Sequence, residues 1–208
     1  MKLHEEVLRI RELLGEEKEQ KIFRVPGLDF FHENRWGAWK ILQKVLEARG
    51  NPPYTIGGNL DLYETPIKSL GNLTSVGGEL NLRYTPIKSL GNLESVGVFL
   101  DLEGTPIKSL GNLQSVGGSL YLEYTPIESL GNLTSVGSLL DLGNTPIESL
   151  GNLTSVGGDL DLRKTPIESL GNLTSVGGSL DLRYAPLSEK YTEEEIRQMV
   201  DVGGDIIL

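Results

Sequence analysis

Residues 60–79 read LDLYETPIKSLGNLTSVGGE, and this 20-residue phrase recurs with few changes along most of the chain. Six full copies are followed by a seventh that breaks off, and the copies begin at Leu60, Leu80, Leu100, Leu120, Leu140, Leu160 and Leu180. A fixed period of this length means that one structural unit is stacked on copies of itself, with a hydrophobic stripe along the stack. The period therefore predicts a solenoid and argues against an enzyme.

The Gly-Gly-x-Leu-x-Leu part of the phrase predicts a β-strand in every unit. Leu80 and Leu82 alternate with polar residues, which is the period-two pattern of a strand with one buried face. Pro86 has a fixed φ and favours an extended Thr85, so the chain leaves the strand without entering a helix. Stacked units should therefore form a parallel sheet of about eight short strands.

The rest of the unit predicts a thin back to each coil. Leu70, Leu73 and Val76 are three residues apart, which is typical of a 3₁₀ or extended segment. Twenty residues do not hold a strand, two turns and an α-helix, so we expect no helix behind the sheet. The first position of the Gly-Gly pair is glycine in every unit, for example Gly77, and it remains glycine where the second position changes, as at Gly97. This indicates either a positive φ or a close backbone approach.

The pattern Leu-x-Leu-x-x-Thr-x-Ile resembles the core of the leucine-rich repeat, with Thr where that family usually has Asn. The longer phrase Ser-Leu-Gly-Asn-Leu-x-Ser-Val-Gly-Gly-x-Leu-x-Leu is similar to the repeats of receptor L domains. The resemblance covers residues 56–187. It implies an α/β repeat solenoid that is right-handed and serves as a binding scaffold. It also implies that the Thr hydroxyls, like the family's Asn ladder, bond to neighbouring backbone.

Both ends of a solenoid expose apolar surface, and both ends of this sequence predict a cap. Residues 1–55 predict an N-terminal helical cap. It comprises a first helix with the apolar stripe Leu3, Val7, Ile10 and Leu14 and a second helix with Trp36, Trp39, Ile41, Leu42, Val45 and Leu46. Residues 188–208 predict a C-terminal cap.

The C-terminal cap contains two signals. Thr192 and Glu195 form a capping box that opens a short helix. Residues 202–208 then repeat the strand phrase, with Ile206 and Leu208 in the inward positions. The sequence thus predicts a final strand that closes the sheet.

Composition narrows the setting of the protein. The chain of 208 residues contains no cysteine, which favours an intracellular location in the cytoplasm of a host cell, and it contains no apolar run long enough to span a membrane. The net charge of −10 disfavours nucleic acid as a partner. The opening residues resemble those of proteins from tailed bacteriophages, which implies a viral source.

Catalytic, metal and cofactor sites are not indicated by any motif. The two histidines, His4 and His32, stand in the N-terminal region beside no nucleophile motif. The Gly-Gly turns lack both the Gly-x-Asp spacing of calcium-binding rolls and the helix that follows a phosphate loop. We therefore expect a non-enzymatic protein without a cofactor.

The outward positions of the strands carry the candidate site. The central outward position, which we call the Asp column, contains Asp61, Asn81, Asp101, Tyr121, Asp141, Asp161 and Asp181. Phe99, Tyr121 and Leu139 should form a diagonal apolar patch on this acidic face, flanked by Asp101 and Asp141. An aromatic centre inside a polar ring is typical of a protein-binding hot spot, here for a partner with a basic surface. A solvated polar face is the simpler interpretation.

Another column changes sign along the stack. This edge column consists of Lys68, Lys88, Lys108, Glu128, Glu148 and Glu168. Two molecules are complementary there, so the column favours weak self-association, although duplication of repeats explains it more simply. The leading function is protein binding through the strand face. The alternatives are a structural or assembly role in a larger, viral particle and, less favoured, ice binding through threonine ladders.

Overall fold

The computed structural model describes residues 22–25 and 35–208. These residues form a parallel β-solenoid in which the repeat units contribute strands to two parallel sheets. The predicted stack and its parallel sheet are confirmed. The predicted first helix, the phage-like N-terminus and both histidines lie outside the described residues.

The first of the two sheets is built from the predicted Leu-x-Leu segments and has eight strands. Neighbouring units pair in register, so that Leu100 faces Leu120 and Asp101 faces Tyr121. Its strands are Leu60–Asp61 (β3), Leu80–Asn81 (β5), Leu100–Asp101 (β7), Leu120–Tyr121 (β9), Leu140–Asp141 (β11), Leu160–Asp161 (β13), Leu180–Asp181 (β15) and Ile206–Ile207 (β17).

A second, nine-stranded sheet was not predicted. It is built mainly from the Ser-Val pair that precedes each Gly-Gly, a segment expected to belong to a 3₁₀ or extended back. Two residues bounded by glycine are too short to show a strand period, but identical stacking every 20 residues brings them into a ladder. Its strands are Phe23–Val25 (β1), Tyr54–Ile56 (β2), Leu73–Val76 (β4), Ser95–Val96 (β6), Ser115–Val116 (β8), Ser135–Val136 (β10), Ser155–Val156 (β12), Ser175–Val176 (β14) and Asp201–Val202 (β16).

Helices in the described residues are confined to the two ends of the stack: Arg35–Glu47 (α1), Pro186–Lys190 (α2) and Glu193–Met199 (α3). The central coils have an extended back, as expected, and 3₁₀ helix does not occur in the described part of the chain. In α1, Trp39 and Leu46 are buried against the first coil. The expectation that Ile41 also packs inward was wrong. Ile41 is 64% exposed because it follows Trp39 by two residues and so points to the opposite side of the helix.

The C-terminal segment has the predicted helix and final strand. Thr192 and Glu195 form the capping box, and β17 pairs with β15. Ile206 is buried as expected, whereas Leu208, which follows the last strand, is 44% exposed. The prediction was therefore correct for Ile206 and wrong for Leu208.

The core is one continuous column of aliphatic side chains between the walls of the coils. In the coil that begins at Leu100, six inward side chains are at most 1% exposed: Leu100, Leu102, Ile107, Leu110, Leu113 and Val116. Burial of each such side chain contributes about 1.5–3 kcal/mol. Since every coil repeats this set, stability is the sum of similar contributions from neighbouring coils.

The first glycine of each pair is required by close backbone approach and not by a positive φ. A Cβ atom on Gly77 would lie 2.5 Å from the carbonyl oxygen of Gly57 in the preceding coil, and one on Gly97 would meet Gly77 in the same way. Of the two alternatives left open by the sequence, the structure shows this one. The glycine of Leu-Gly-Asn, such as Gly111 at 59°, does have a positive φ.

The buried threonine hydroxyls bond to neighbouring backbone, as expected. The buried Thr105 hydroxyl donates to the Leu102 carbonyl of its own coil at 2.7 Å, and Thr65, Thr85, Thr125, Thr145 and Thr165 do the same. Other side chains, of asparagines and of threonines such as Thr174, make hydrogen bonds between coils. The Asn172 amide, for example, donates to the Gly151 carbonyl of the preceding coil at 3.1 Å.

Candidate binding face

The strand face is the outward side of the eight-stranded sheet and of the turn that follows each strand. In each unit the two inward leucines of the strand segment, such as Leu100 and Leu102, are fully buried. The outward residues between them, such as Asp101, are half-buried, so they are partly accessible to a partner. The predicted inside–outside register of the strands is confirmed.

The Asp column has a structural role that the sequence reading missed. A side-chain oxygen of Asp101 accepts a hydrogen bond from the backbone N–H of Glu103 at 3.0 Å, and Asp141 accepts one from Gly143 at 3.0 Å. The same bond occurs at Asp61, Asn81, Asp161 and Asp181. These carboxylates close the turn after the strand. An Asp or Asn two residues before a turn was the available signal.

Burial raises the pKa of several of these carboxylates. The pKa of Asp141 is raised to about 6, and burial is the largest cause. The charges of Asp161 and Glu123 also raise this pKa, whereas the hydrogen bond from the Gly143 N–H and the charge of Arg163 lower it. Burial also raises the pKa of Asp101 and Asp161. At Asp181 burial is outweighed by hydrogen bonds from Arg183, which lower the pKa. Of these four carboxylates, Asp181 is therefore the one that ionises most readily.

The structure brings Phe99 and Tyr121 together. Their ring centroids are 6.4 Å apart and their planes meet at 82°, an edge-to-face contact of a kind that contributes about 0.5–1.5 kcal/mol. Leu139 is half-buried and lies two coils from Phe99 in the same column, with Ser119 between them. Val98, next to Phe99, is 46% exposed and extends the apolar surface.

Asp101 and Asp141 flank this apolar patch as expected, since their strands pair with the strand of Tyr121 on either side. Phe99, Tyr121 and Leu139 are half-buried and not fully outward. A binding surface made from them therefore also carries some of the packing of the sheet.

A further column on this face was not singled out from the sequence. The residue before each buried threonine, and before Ala185 in the seventh unit, has a positive φ between 53° and 67°. We call these residues the left-handed column: Glu64, Tyr84, Gly104, Tyr124, Asn144, Lys164 and Tyr184. Glycine and asparagine adopt this conformation readily, whereas other residues pay on the order of 1 kcal/mol. No local sequence signal marks a tyrosine in this conformation, so only the structure identifies it.

Ion pairs cross the strand face between coils. Arg83 pairs with Glu103 at 2.7 Å, and the Tyr84 hydroxyl donates to the same carboxylate at 2.9 Å. Arg163 pairs with Asp161 at 2.9 Å and reaches towards Glu123 at 3.8 Å. The second contact passes over a coil whose Gly143 has no side chain in the way.

The edge column lies on the back of the coils, where its two signs meet at one point. Lys108 Nζ and Glu128 Oε1 are 2.6 Å apart, and both side chains are exposed. Groups of three or more metal-binding side chains do not occur in the described part of the chain. Within residues 22–25 and 35–208, the helices are also too short or too polar to cross a membrane.

Comparison with models of known protein families finds no match, and comparisons with curated proteins and with solved structures find no significant one.

Proposed function

We propose that the protein is a non-enzymatic binding scaffold of the leucine-rich-repeat class that recognises a protein partner through its strand face. Phe99, Tyr121 and Leu139 form the centre of the contact, and Asp101 and Asp141 bind basic groups of the partner. The chain then needs no catalytic group or cofactor, because an extended, repetitive surface is itself the functional element.

The main support for this proposal is that the sequence differences between coils are concentrated on the strand face. The position before the first strand leucine has six residue types in seven coils, and the left-handed column has five. The prolines, serines and asparagines of the back are the same in the six full units. Folding alone does not explain variety that is concentrated on one exposed face, whereas a surface fitted to an irregular partner requires it.

The Phe99–Tyr121 contact adds a second line of support. Aromatic side chains that are half-buried in a rigid sheet lose little conformational freedom on binding, and a polar ring around them excludes water. The acidic neighbours Asp101 and Asp141 favour a partner with basic groups and increase its association rate.

The proposal includes the repeat class of the solenoid and the capping of its two ends. A right-handed leucine-rich-repeat solenoid is supported by the Leu-x-Leu period, although an unpredicted second sheet lies beside the strand face. We propose that α1 and α3 are caps, because Trp39 and Ile196 are buried at opposite ends of the core. Capping keeps the strand face of a single molecule free of open apolar ends.

The test is a selection of binders from a displayed protein-fragment library, followed by titration. The triple variant Phe99→Ser, Tyr121→Ser, Leu139→Ser should weaken binding by several kcal/mol, since each hot-spot residue contributes about 2 kcal/mol, without strict additivity. The control variant replaces the exposed Lys68, Lys88 and Lys108 with Ser and should bind as the parent does. Melting curves separate loss of contact from loss of fold. Binders that keep full affinity for the triple variant would refute the proposed site.

A further inference from the structure

Two exposed tyrosines of the left-handed column stand in a conformation that does not suit them. Tyr124 and Tyr184 have φ values of 59° and 63°, where a side chain crowds its own backbone. The same position holds Gly104 and Asn144 in other coils, and both residue types adopt this conformation at little cost. Fold stability therefore favours glycine or asparagine at these two positions.

Neither ring gains burial in return for the strain. Tyr124 is 64% exposed and Tyr184 is 79% exposed. Tyr184 lies 6.0 Å from Lys164 Nζ, and the Tyr124 side chain forms no hydrogen bond or ring contact with the described residues. Tyr84, by contrast, is held by Glu103 and Arg83. Strained and exposed side chains of this kind are a feature of binding sites.

An open cleft separates the two rings. Between Tyr124 and Tyr184 the strand face has Gly143, over which the Arg163 side chain lies, and the short Asn144, so no further aromatic side chain stands between the two rings. The resulting cleft has a volume of about 350 Å³. Its walls are aromatic, and its floor is formed by side chains of the coils between the rings.

The lining of the cleft is rich in cationic side chains, whereas the Asp column of the same face is acidic. Arg163, Lys164 and Arg183 line it together with one carboxylate, that of Glu123. The aspartates paired with the arginines lie deeper: the Asp181 side chain is 14% exposed and the Arg183 side chain 46%. A ligand that enters therefore meets the guanidinium groups first. Lys164 has no carboxylate within ion-pair distance among the described residues.

We propose that this cleft binds an acidic, extended segment of a polypeptide, with the chain between Tyr124 and Tyr184 and its carboxylates on Lys164 and Arg183. Arg183 already donates its Nε and one terminal nitrogen to Asp181, so a ligand carboxylate meets the remaining N–H groups of Arg183 and the ammonium group of Lys164. Tyrosine provides rigid apolar contact area. This inference rests on the proposed function in that it assigns a second contact to the same face. The near wall of the cleft, Tyr124, is in the same coil as Tyr121, and its far wall, Tyr184, is three strand spacings or about 14 Å further along the stack, so one partner spans both contacts.

The probe is a fluorescein-labelled dodecapeptide of alternating Glu and Pro, measured by fluorescence anisotropy at low salt. Proline keeps the peptide extended, and its ring packs on aromatic side chains. We expect a dissociation constant below about 1 mM, and binding about tenfold weaker for the matched peptide with Gln in place of Glu. Added salt should weaken binding of the Glu peptide.

Two pairs of variants test the residues. Lys164→Gln with Arg183→Gln should weaken binding about tenfold, whereas Arg83→Gln with Lys88→Gln, which removes the same charge outside the cleft, should leave it unchanged within about twofold. Tyr124→Asn should weaken binding and raise the melting temperature, because Asn suits the left-handed conformation. The control Glu64→Asn should also raise the melting temperature while leaving binding unchanged.

Several results would overturn the inference. These are no detectable binding of the Glu peptide, equal affinity for the Glu and Gln peptides, binding that survives the Lys164 and Arg183 changes, or a lower melting temperature for Tyr124→Asn. Binding of an oligogalacturonate but not of the peptide would assign the cleft to acidic carbohydrate instead. The Phe99, Tyr121, Leu139 variant should bind the peptide normally, so failure of the cleft and failure of the proposed patch are distinguished.

Discussion

Replacing Asp141 with Asn should stabilise the protein at neutral pH. The Asp141 carboxylate accepts a hydrogen bond from the Gly143 N–H at 3.0 Å, and an Asn oxygen makes this bond equally well. The chain contains the precedent: Asn81, at the equivalent position, accepts the N–H of Arg83 at 3.2 Å. The substitution therefore keeps the turn and removes only the charge.

The magnitude follows from the raised pKa of Asp141. A rise from 3.8 to about 6 corresponds to about 3 kcal/mol at about 1.4 kcal/mol for each pKa unit, and partial solvent exposure reduces this to about 1–2 kcal/mol. Because the folded state has the higher pKa, ionisation costs folding free energy above pH 6. This cost decreases as pH falls towards 4 and is absent well below 3.8, where the carboxyl is protonated in both states.

Urea unfolding of the parent and of Asp141→Asn between pH 3 and pH 8 measures this difference. We expect the variant to be more stable by about 1–2 kcal/mol at pH 7.5 and equal to the parent near pH 3. The matched control is Asp181→Asn, which removes a carboxylate whose pKa is lowered by Arg183 and should destabilise the protein at neutral pH. A variant of Asp141 that is less stable than the parent at pH 7.5 would contradict the argument.

Three other predictions concern the stack. Gly97→Ala should lower the free energy of unfolding by about 1–3 kcal/mol, because its methyl group meets the Gly77 carbonyl, and an unchanged melting temperature would mean that the coils separate at no cost. Thr125→Val should cost about 1–2 kcal/mol in urea unfolding through loss of the 2.6 Å hydrogen bond to the Leu122 carbonyl, and a neutral result would show that this hydroxyl is dispensable. Reversing the three lysines of the edge column to Glu in one variant, and its three glutamates to Lys in another, should favour a mixed dimer in sedimentation velocity. Two monomers in the mixture would exclude pairing along that column.

Much of the fold was predictable because the same strand and turn pattern recurs in seven units of the sequence. The strands at Leu80 and Leu100, the final strand at Ile206 and the helix after Thr192 all follow from period and capping. The second sheet did not follow, because Ser95–Val96 is two residues long and forms a strand only through its neighbours. The position of Ile41 was predicted wrongly because its apolar character alone does not tell which side of the helix it occupies. Its spacing of two residues from Trp39 places it on the opposite side.

The candidate site was predictable in part. The meeting of Phe99 and Tyr121 follows from a 20-residue register, since Leu100 and Leu120 must be neighbours. The turn role of Asp101 was missed because repulsion along the column was considered without the backbone N–H groups beside it. The strain at Tyr124 depends on a backbone angle that nothing in the adjacent residues determines.

The close contact of Gly77 with Gly57 recurs in each coil, so adjoining coils meet through the same groups wherever they stand in the chain. Removing a whole unit, such as residues 140–159, would join two coils whose facing core residues are unchanged. The deletion would shorten the molecule by about 4.8 Å and bring Tyr121 one step nearer to Tyr184. The distance between separate contacts on the strand face is therefore set by the number of units, independently of their packing.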